Sequence, residues 1–178
     1  MELTREQLKK CYPFATDQNI DRFLKPINLT LAKFDINTPA RVAAFLAQLG
    51  HESGSLKYVR EIASGEAYEG RKDLGNVNPG DGKKYKGRGL IQITGRTNYD
   101  ALSRALNYDF LLRPESLELP GPAAMSAGWF WKKTGLNELA DQNTDDSFKR
   151  MTKKINGGYN GLEDRVRHRS NCKKAFAL

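Results

Sequence analysis

Helical patterns stand on both sides of one long glycine-rich stretch, and this contrast is the strongest constraint on the fold. The clearest helical pattern is NTPARVAAFLAQLGHES at residues 37–53. Thr38 fits its N-cap, and Pro39 fits its first helical position. Residues 53–89 are rich in glycine and polar side chains, which indicates loops and short irregular pieces. A loop of that length inside a compact domain usually carries a function.

The rest of the chain also has the spacing of helices rather than strands. Thr4 and Gln7 fit a capping box that opens a first helix, which ends before Pro13. Apolar residues recur at helical spacing after Asp17, although Pro26 interrupts that segment. Further helices are predicted at residues 96–107, 122–133, 145–154 and 161–176, with a short extended segment at 90–94. The pattern predicts a mostly α fold with at most a small β-hairpin, and residues 1–178 fit one domain.

The charge of the chain is strongly positive, with 29 lysines and arginines against 21 acids and a net charge of +8. Such a chain is attracted to polyanions, and both nucleic acids and bacterial envelope polymers qualify. The sequence has no basic recognition helix, aromatic RNA platform or paired zinc ligands, so no nucleic-acid partner is expected. Anionic polymers of the bacterial envelope are therefore the expected partners of this charge, with scattered solvated lysines as the alternative.

Features of export and membrane insertion are not found in the sequence. The first 25 residues carry charges throughout and lack the apolar centre of a secretory signal, so no signal peptide is expected. No stretch approaches the roughly 20 apolar residues of a membrane span, so no stable membrane insertion is expected. Cys11 and Cys172 leave a disulfide open, but two cysteines without a signal peptide favour reduced thiols.

Glutamates at the start of the loop region are candidates for acid–base chemistry. Glu52 ends the apolar helix, with Phe45 and Gln48 on the same side. A half-buried carboxylic acid can keep its proton near neutral pH and donate it to a glycosidic oxygen. The alternative is a residue at a helix end that turns outward to water. Glu61 is a second carboxylate nine residues on, and spacing alone does not prefer it over Glu66.

The two carboxylates would suit glycoside hydrolysis if a gap separates them. An inverting enzyme holds its two carboxyl groups roughly 6.5 to 9.5 Å apart, so that a water fits between them. A helix end followed by a turn at Gly54 can supply this gap. The alternative for Glu61 is a surface ion pair with Arg60 or Arg71.

Two other motifs give only weak indications of a metal, catalytic or phosphate-binding site. His51 lies near Ser53, but His168 is the only other histidine and neither an H-E-x-x-H nor a G-x-S-x-G pattern occurs. We therefore predict a structural role for His51, and neither a metal nor a cofactor is expected. The G-x-G at residues 87–89 lacks a third glycine and a preceding buried strand, so it is a weak phosphate site.

Three motifs in this order resemble the family 19 glycoside hydrolases. They are HES at residues 51–53, YKGRGLIQITGRTNY at residues 85–99 and INGG at residues 155–158. The chain is most similar to the short lysozyme-type branch, which includes phage endolysins and chitinase-like enzymes, and the similarity runs from about residue 35 to the C-terminus. The resemblance implies a lysozyme-like helical catalytic domain, with no separate cell-wall-binding domain.

The resemblance also implies roles for individual residues. Glu52 falls on the general acid, Glu61 on the general base and Thr94 on the hydroxyl that positions the attacking water. The other matched positions are Gln92, Asn98 and Asn156 in the sugar cleft and Arg169 in support of the catalytic carboxylates. Tyr85 is a further candidate for sugar contact, and both it and Tyr99 can equally belong to the core or the cleft wall.

The expected function is that of an endolysin that hydrolyses β-1,4 bonds of peptidoglycan with inversion. Chitin is the alternative substrate, and a non-catalytic cell-wall-binding module is the alternative of another class. The disulfides and several loops of the plant chitinases are missing, and Asn160 stands where they often carry an acid. These departures argue against chitin as the substrate. A short, basic, cysteine-poor chain without a signal peptide suits a phage product that accumulates in the host cytoplasm and reaches the wall after a holin opens the membrane, and a monomer is expected.

Overall fold

Nine α-helices make up the fold in the computed structural model, which describes residues 1–178. They are α1 Arg5–Cys11, α2 Asp17–Lys33, α3 Pro39–Glu52, α4 Asp81–Lys84, α5 Arg96–Leu106, α6 Pro120–Lys133, α7 Leu136–Gln142, α8 Asp145–Asn156 and α9 Leu162–Ala175. Short 3₁₀ helices lie at Glu66–Tyr68, Lys72–Leu74 and Pro114–Glu118. Strand-like pairing is limited to two isolated bridges, Arg60 with Arg88 and Arg88 with Ile93. The predicted mostly α fold is confirmed. None of the helices has the length and apolar composition needed to cross a membrane.

Helix α3 runs through the middle of the core, because every residue from Val42 to Gly50 is buried. Helices α9 and α7 pack against α3, α1 packs against α9, and α2 packs against α6. The buried apolar residues form one cluster of 37 side chains. Because α3 ends at Glu52, where the helix leaves this core, its last turn places a carboxylate at the border between core and surface.

The predicted helix starts are present with their caps. Thr4 and Gln7 form the capping box of α1, and the Thr38 hydroxyl accepts a hydrogen bond from the backbone of Arg41. Helix α2 continues through Pro26 to Lys33, farther than the interrupted pattern indicates. A proline inside a helix removes one backbone hydrogen bond, and the buried face of α2 offsets that loss by packing on α6.

The prediction of an extended segment at residues 90–94 is wrong for most of that segment. Gly89 and Gln92 have φ angles of +84° and +60°, and these left-handed residues reverse the chain. Arg88 and Ile93 therefore exchange both of their backbone hydrogen bonds, at 3.1 and 2.8 Å. The apolar pattern reflects burial of Leu90 against α6, where its backbone donates to the Ala123 carbonyl, rather than pairing in a sheet.

Polar anchors hold the glycine-rich region against the helices. The Glu69 carboxylate accepts hydrogen bonds from the backbone of Gly80 and Gly82, both at 2.8 Å. Asp81 is only 2% exposed and accepts two hydrogen bonds from the Arg96 guanidinium at the start of α5. The region is therefore fixed by buried charge and backbone contacts, although it contains little regular structure.

The two cysteines lie in the core where α1 meets α9. Cys11 ends α1 and Cys172 is in α9, and both are fully buried free thiols. Burial raises the pKa of the Cys172 thiol well above its usual range, which disfavours the reactive thiolate.

Candidate active site

Glu52 is held at the end of α3 by a buried arginine. Its Oε1 accepts a hydrogen bond of 2.5 Å from Nη2 of Arg165 in α9, and the Glu52 side chain is 18% exposed. The Arg165 side chain is 1% exposed and also donates to Gln48 Oε1 at 2.7 Å and to the Asn160 carbonyl at 3.1 Å. One oxygen of Glu52 is thus fixed by an ion pair with almost no access to water.

A cavity of about 250 Å³ opens beside Glu52 and gathers three more of the predicted site residues. Gln92, Thr94 and Asn98 line it on the side of the glycine-rich region. Trp129 and the last turns of α6 form part of the apolar wall. The cavity therefore combines an acid, neutral polar groups and flat apolar surface, as a sugar site requires.

Glu61 is fixed by neutral donors rather than by an arginine. Its Oε2 accepts from the Tyr68 hydroxyl and from the Gly87 backbone, both at 3.1 Å. Burial, followed by the charge of Glu61, raises the pKa of Tyr68, so the phenol keeps the proton that it donates. The Oε1 atom of Glu61 is buried and receives no hydrogen bond from the protein.

Gly87 brings the polar groups of the site close together. A Cβ atom at this position would lie 2.8 Å from Glu61 Oε2, 2.8 Å from Gln92 Oε1 and 3.3 Å from Thr94 Oγ1. Thr94 donates its hydroxyl proton to the Gln92 carbonyl at 3.0 Å, so the Thr94 oxygen is left as an acceptor. Gln92 and Thr94 also line the cavity of Glu52, whereas Glu61 lines a second cavity with Arg60 and Lys86. Gln92 and Thr94 therefore lie between the surroundings of the two carboxylates.

The neighbouring acids are used elsewhere, and this separates Glu61 from its alternatives. Glu66 pairs with Lys83 on the surface at 2.7 Å, and Glu69 is bound to the backbone of the loop. Arg60 lies 3.8 Å from Glu118, and Arg71 pairs with Asp73. The surface ion pair considered for Glu61 is therefore not formed.

Tyr85 is not a sugar-contacting residue, which corrects the prediction for it. Its side chain is 1% exposed, and its hydroxyl donates to the Leu111 carbonyl at 3.1 Å. It packs on Tyr99, which is also buried and donates to the Lys86 carbonyl at 2.6 Å. Burial raises the pKa of Tyr99 to about 12. Both rings belong to the core beneath the glycine-rich region.

Arg169 contacts neither Glu52 nor Glu61, which corrects a second prediction. Its Nη1 atom donates to Asp145 at 2.6 Å, and its Nη2 atom lies 3.4 Å from Asn143. Arg165, one helical turn earlier, contacts Glu52 instead. Residues four apart share one face of a helix, so the RVRHR pattern alone does not decide which arginine contacts the carboxylate.

Asn156 and His51 lie next to the site rather than in it. Asn156 is exposed at the end of α8, where its side-chain oxygen accepts from the Asn160 backbone at 3.3 Å, and a sugar contact for it stays a prediction. His51 Nδ1 lies 2.8 Å from Asp164 of α9, and its ring packs on Gly161. This contact ties the end of α3 to the start of α9.

Sequence reasoning missed Arg165, Tyr68 and Trp129. Arg165 is in the same pattern as Arg169. Tyr68 contacts Glu61 from seven residues farther along an irregular loop, and Trp129 reaches the cavity of Glu52 from a distant helix, so neither has a local signal.

Known proteins with similar sequence or structure are found, although no family model matches the chain. A Haemophilus influenzae protein described as containing a glycosyl hydrolase family 19 domain is 31% identical over 202 positions, covering 94% of each chain. An Arabidopsis thaliana endochitinase is 41% identical over 118 residues, or 66% of this chain and 39% of that protein. The chain thus spans less than half the length of this plant relative.

Solved structures share the fold. Chitinase C of Streptomyces griseus superposes with a TM-score of 0.79 at 22% identity, covering 98% of this chain and 76% of that one. A class IV family 19 chitinase of Zea mays superposes with a TM-score of 0.69 at 26% identity, covering 95% and 85%. The predicted lysozyme-like helical fold is confirmed.

The fold and these relatives define a glycoside hydrolase. The chain belongs to glycosyl hydrolase family 19, as its three motifs predict.

Proposed function

We propose that the chain hydrolyses β-1,4 bonds of peptidoglycan glycan by a single displacement that inverts the anomeric carbon. One observation carries this proposal. Glu61 has a buried Oε1 atom without a hydrogen bond, and its Oε2 atom and the Thr94 hydroxyl both lie next to Gly87. Thr94 in turn lines the same cavity as Glu52. Two carboxylates linked by a hydroxyl acceptor are the parts that an inverting glycosidase needs.

The roles follow from which atoms are already engaged. Arg165 holds Oε1 of Glu52, so Oε2 carries the proton that passes to the leaving glycosidic oxygen. The attacking water gives one proton to Glu61 and donates a hydrogen bond to the Thr94 oxygen with the other. The Thr94 hydroxyl can accept it because it donates its own proton to the Gln92 carbonyl. The lone pair of that water then points at the anomeric carbon. Asn98, on the cavity wall, is placed to bind a sugar hydroxyl or amide.

We favour peptidoglycan over chitin as the substrate because of the net positive charge of the chain. The chain carries a net charge of +8, and bacterial walls are polyanionic whereas chitin is neutral. Chitin is the second candidate, because the named relatives include endochitinases of plants. Glycol chitin and purified peptidoglycan compared at equal enzyme concentration separate the two, and faster turnover of glycol chitin would replace the proposed substrate.

Replacement of the acid tests whether the groove is catalytic. We expect Glu52→Gln to lower kcat on purified peptidoglycan by at least about a hundredfold while the fold is kept, because the amide has no proton of suitable acidity. Glu66→Gln is the matched control, since Glu66 pairs with Lys83 on the surface. Release of reducing ends by the wild type excludes a non-catalytic wall-binding module, and full lysis by Glu52→Gln would remove Glu52 from the mechanism.

We further propose that the enzyme is a monomeric endolysin that accumulates in the host cytoplasm and reaches the wall through a holin. The free, buried thiols of Cys11 and Cys172 suit a reducing compartment. Expression in a bacterial host should cause lysis only when a holin is produced as well. Lysis without the holin would contradict this route.

A further inference from the structure

Lys133 is a positive charge on the wall of the catalytic cavity. It is the last residue of α6, it is exposed, and it lines the same cavity as Glu52. Its Nζ lies 4.7 Å from the centre of the Trp129 ring, so a cation–π contact holds the ammonium against the wall. No carboxylate lies within ion-pair distance of Lys133, whereas its neighbour Lys132 pairs with Asp35 at 2.9 Å.

The surroundings of Lys133 add to this charge instead of cancelling it. Glu52 is the one acid on the cavity wall, and it adds no net negative charge, either as the protonated acid or as the carboxylate paired with Arg165. Lys154 donates to the carbonyl of Thr134, another residue of the wall, and it also has no carboxylate partner. A substrate next to the catalytic acid therefore meets a wall of net positive charge.

We propose that Lys133 recognises the lactyl carboxylate that N-acetylmuramic acid exposes once its stem peptide is removed, and so favours peptide-free peptidoglycan glycan over chitin. The two polymers share the β-1,4 backbone and the N-acetyl groups. They differ at every second sugar, where peptide-free peptidoglycan glycan carries a lactyl ether with a free carboxylate and chitin carries a hydroxyl. An ammonium on the cavity wall attracts the former and gains nothing from the latter. This inference rests on the proposed function and names the group that decides its substrate.

The test compares two substrates that differ in that group. Glycan strands freed of peptides by an amidase keep the lactyl carboxylate, and chitohexaose lacks it. For Lys133→Met, we expect the ratio of kcat/KM on glycan strands to that on chitohexaose to fall about fivefold, the value of an exposed ion pair. For Lys133→Glu, the ratio should fall further. Lys132→Met is the matched control and should keep the wild-type ratio, because Lys132 points to Asp35 on the surface.

A chemical change of the substrate gives a second readout. Amidation of the lactyl carboxylate keeps its size and removes its charge. It should lower kcat/KM for the wild type to the level of Lys133→Met and leave the value for Lys133→Met unchanged. Equal losses on both substrates, or the same response of both enzymes to amidation, would overturn the inference while the proposed function stands. If the wild type cleaves chitohexaose but not glycan strands, the proposed function fails and the inference fails with it.

Discussion

At the scale of single residues, Gly87 has the sharpest consequence for activity. Its φ is not in the left-handed region, so its backbone can accept alanine, but the added methyl group would meet oxygens of Glu61 and Gln92 at 2.8 Å. We expect Gly87→Ala to lower kcat about a hundredfold, the effect of shifting a catalytic group by roughly 1 Å. Initial rates of reducing-end release and a thermal unfolding scan measure the two effects separately.

The control for this variant is Gly121→Ala, because a Cβ at Gly121 meets no atom within 4 Å. Gly121→Ala should keep wild-type kcat. If Gly87→Ala also keeps wild-type kcat, the positions of the Glu61 and Gln92 oxygens beside Gly87 do not matter for catalysis.

A second prediction at this scale compares the substitution of Arg165 with that of Arg169. Arg165→Met should lower kcat more than about tenfold and lower stability by about 3 kcal/mol, since it leaves Glu52 without its buried partner. Arg169→Met should keep kcat within about twofold, because its partner Asp145 is fully exposed and can return to water. Kinetics and urea unfolding of both variants check this. The reverse order of effects would restore the role that the sequence pattern implies for Arg169.

The candidate catalytic residues could be predicted from the sequence better than the side chains that hold them in place. Glu52 and Thr94 stand within specific motifs and line one cavity, whereas Glu61 lies outside the motifs and its oxygen meets Gln92 and Thr94 near Gly87. Tyr85 stands in the same specific segment but packs inward, because the reversal at residues 89–92 turns the chain in a way that its apolar pattern does not reveal.

At the scale of elements, the contact between the glycine-rich region and α5 depends on one buried ion pair. The Arg96 hydrogen bonds hold the pKa of Asp81 below its ordinary value, so the folded state keeps this carboxylate ionised to lower pH than the unfolded state does. The pair therefore stabilises the fold above about pH 4, and its contribution is lost as the pH falls through the folded pKa.

We expect Asp81→Asn to lower the free energy of unfolding at pH 7 by about 3 kcal/mol. The difference from wild type should narrow below about pH 4, where the wild-type carboxyl also becomes neutral. Urea unfolding across this pH range measures it. Asp73→Asn, which removes an exposed partner of Arg71, should change stability by less than about 1 kcal/mol. If Asp81→Asn lowers the free energy of unfolding equally at every pH, the loss comes from packing and not from the ion pair.

Helix existence could be predicted from caps and periodicity, as α1 and α3 illustrate. The short elements could not. Helix α4 and the 3₁₀ helices have too few residues for a periodic pattern, and contacts such as Glu69 with Gly80 and Gly82 fix that region. These contacts join residues that are distant in sequence and carry no local signal.

At the scale of the whole molecule, the charge of +8 predicts salt-sensitive action on walls. Raising the salt concentration from about 50 to about 300 mM shortens the Debye length and weakens attraction to teichoic acids or lipopolysaccharide. We expect lysis of permeabilised cells to slow several-fold, whereas hydrolysis of neutral chitohexaose should change less than about twofold. Turbidity and reducing-end assays at matched salt measure both. Equal slowing of the two reactions would contradict electrostatic attraction to the wall.

The central claim is that Glu52 and Glu61 act from opposite sides of one glycosidic bond, with water between them. The most direct test is to determine the anomeric configuration of newly released products by proton NMR. Because that water attacks the face opposite the leaving oxygen, hydrolysis of a β-1,4 bond in soluble glycan strands should release the α-anomer before mutarotation sets in. Initial release of the β-anomer would contradict the claim, because retention requires two displacements, through a carboxylate or through the N-acetyl group of the sugar, instead of one direct attack by water.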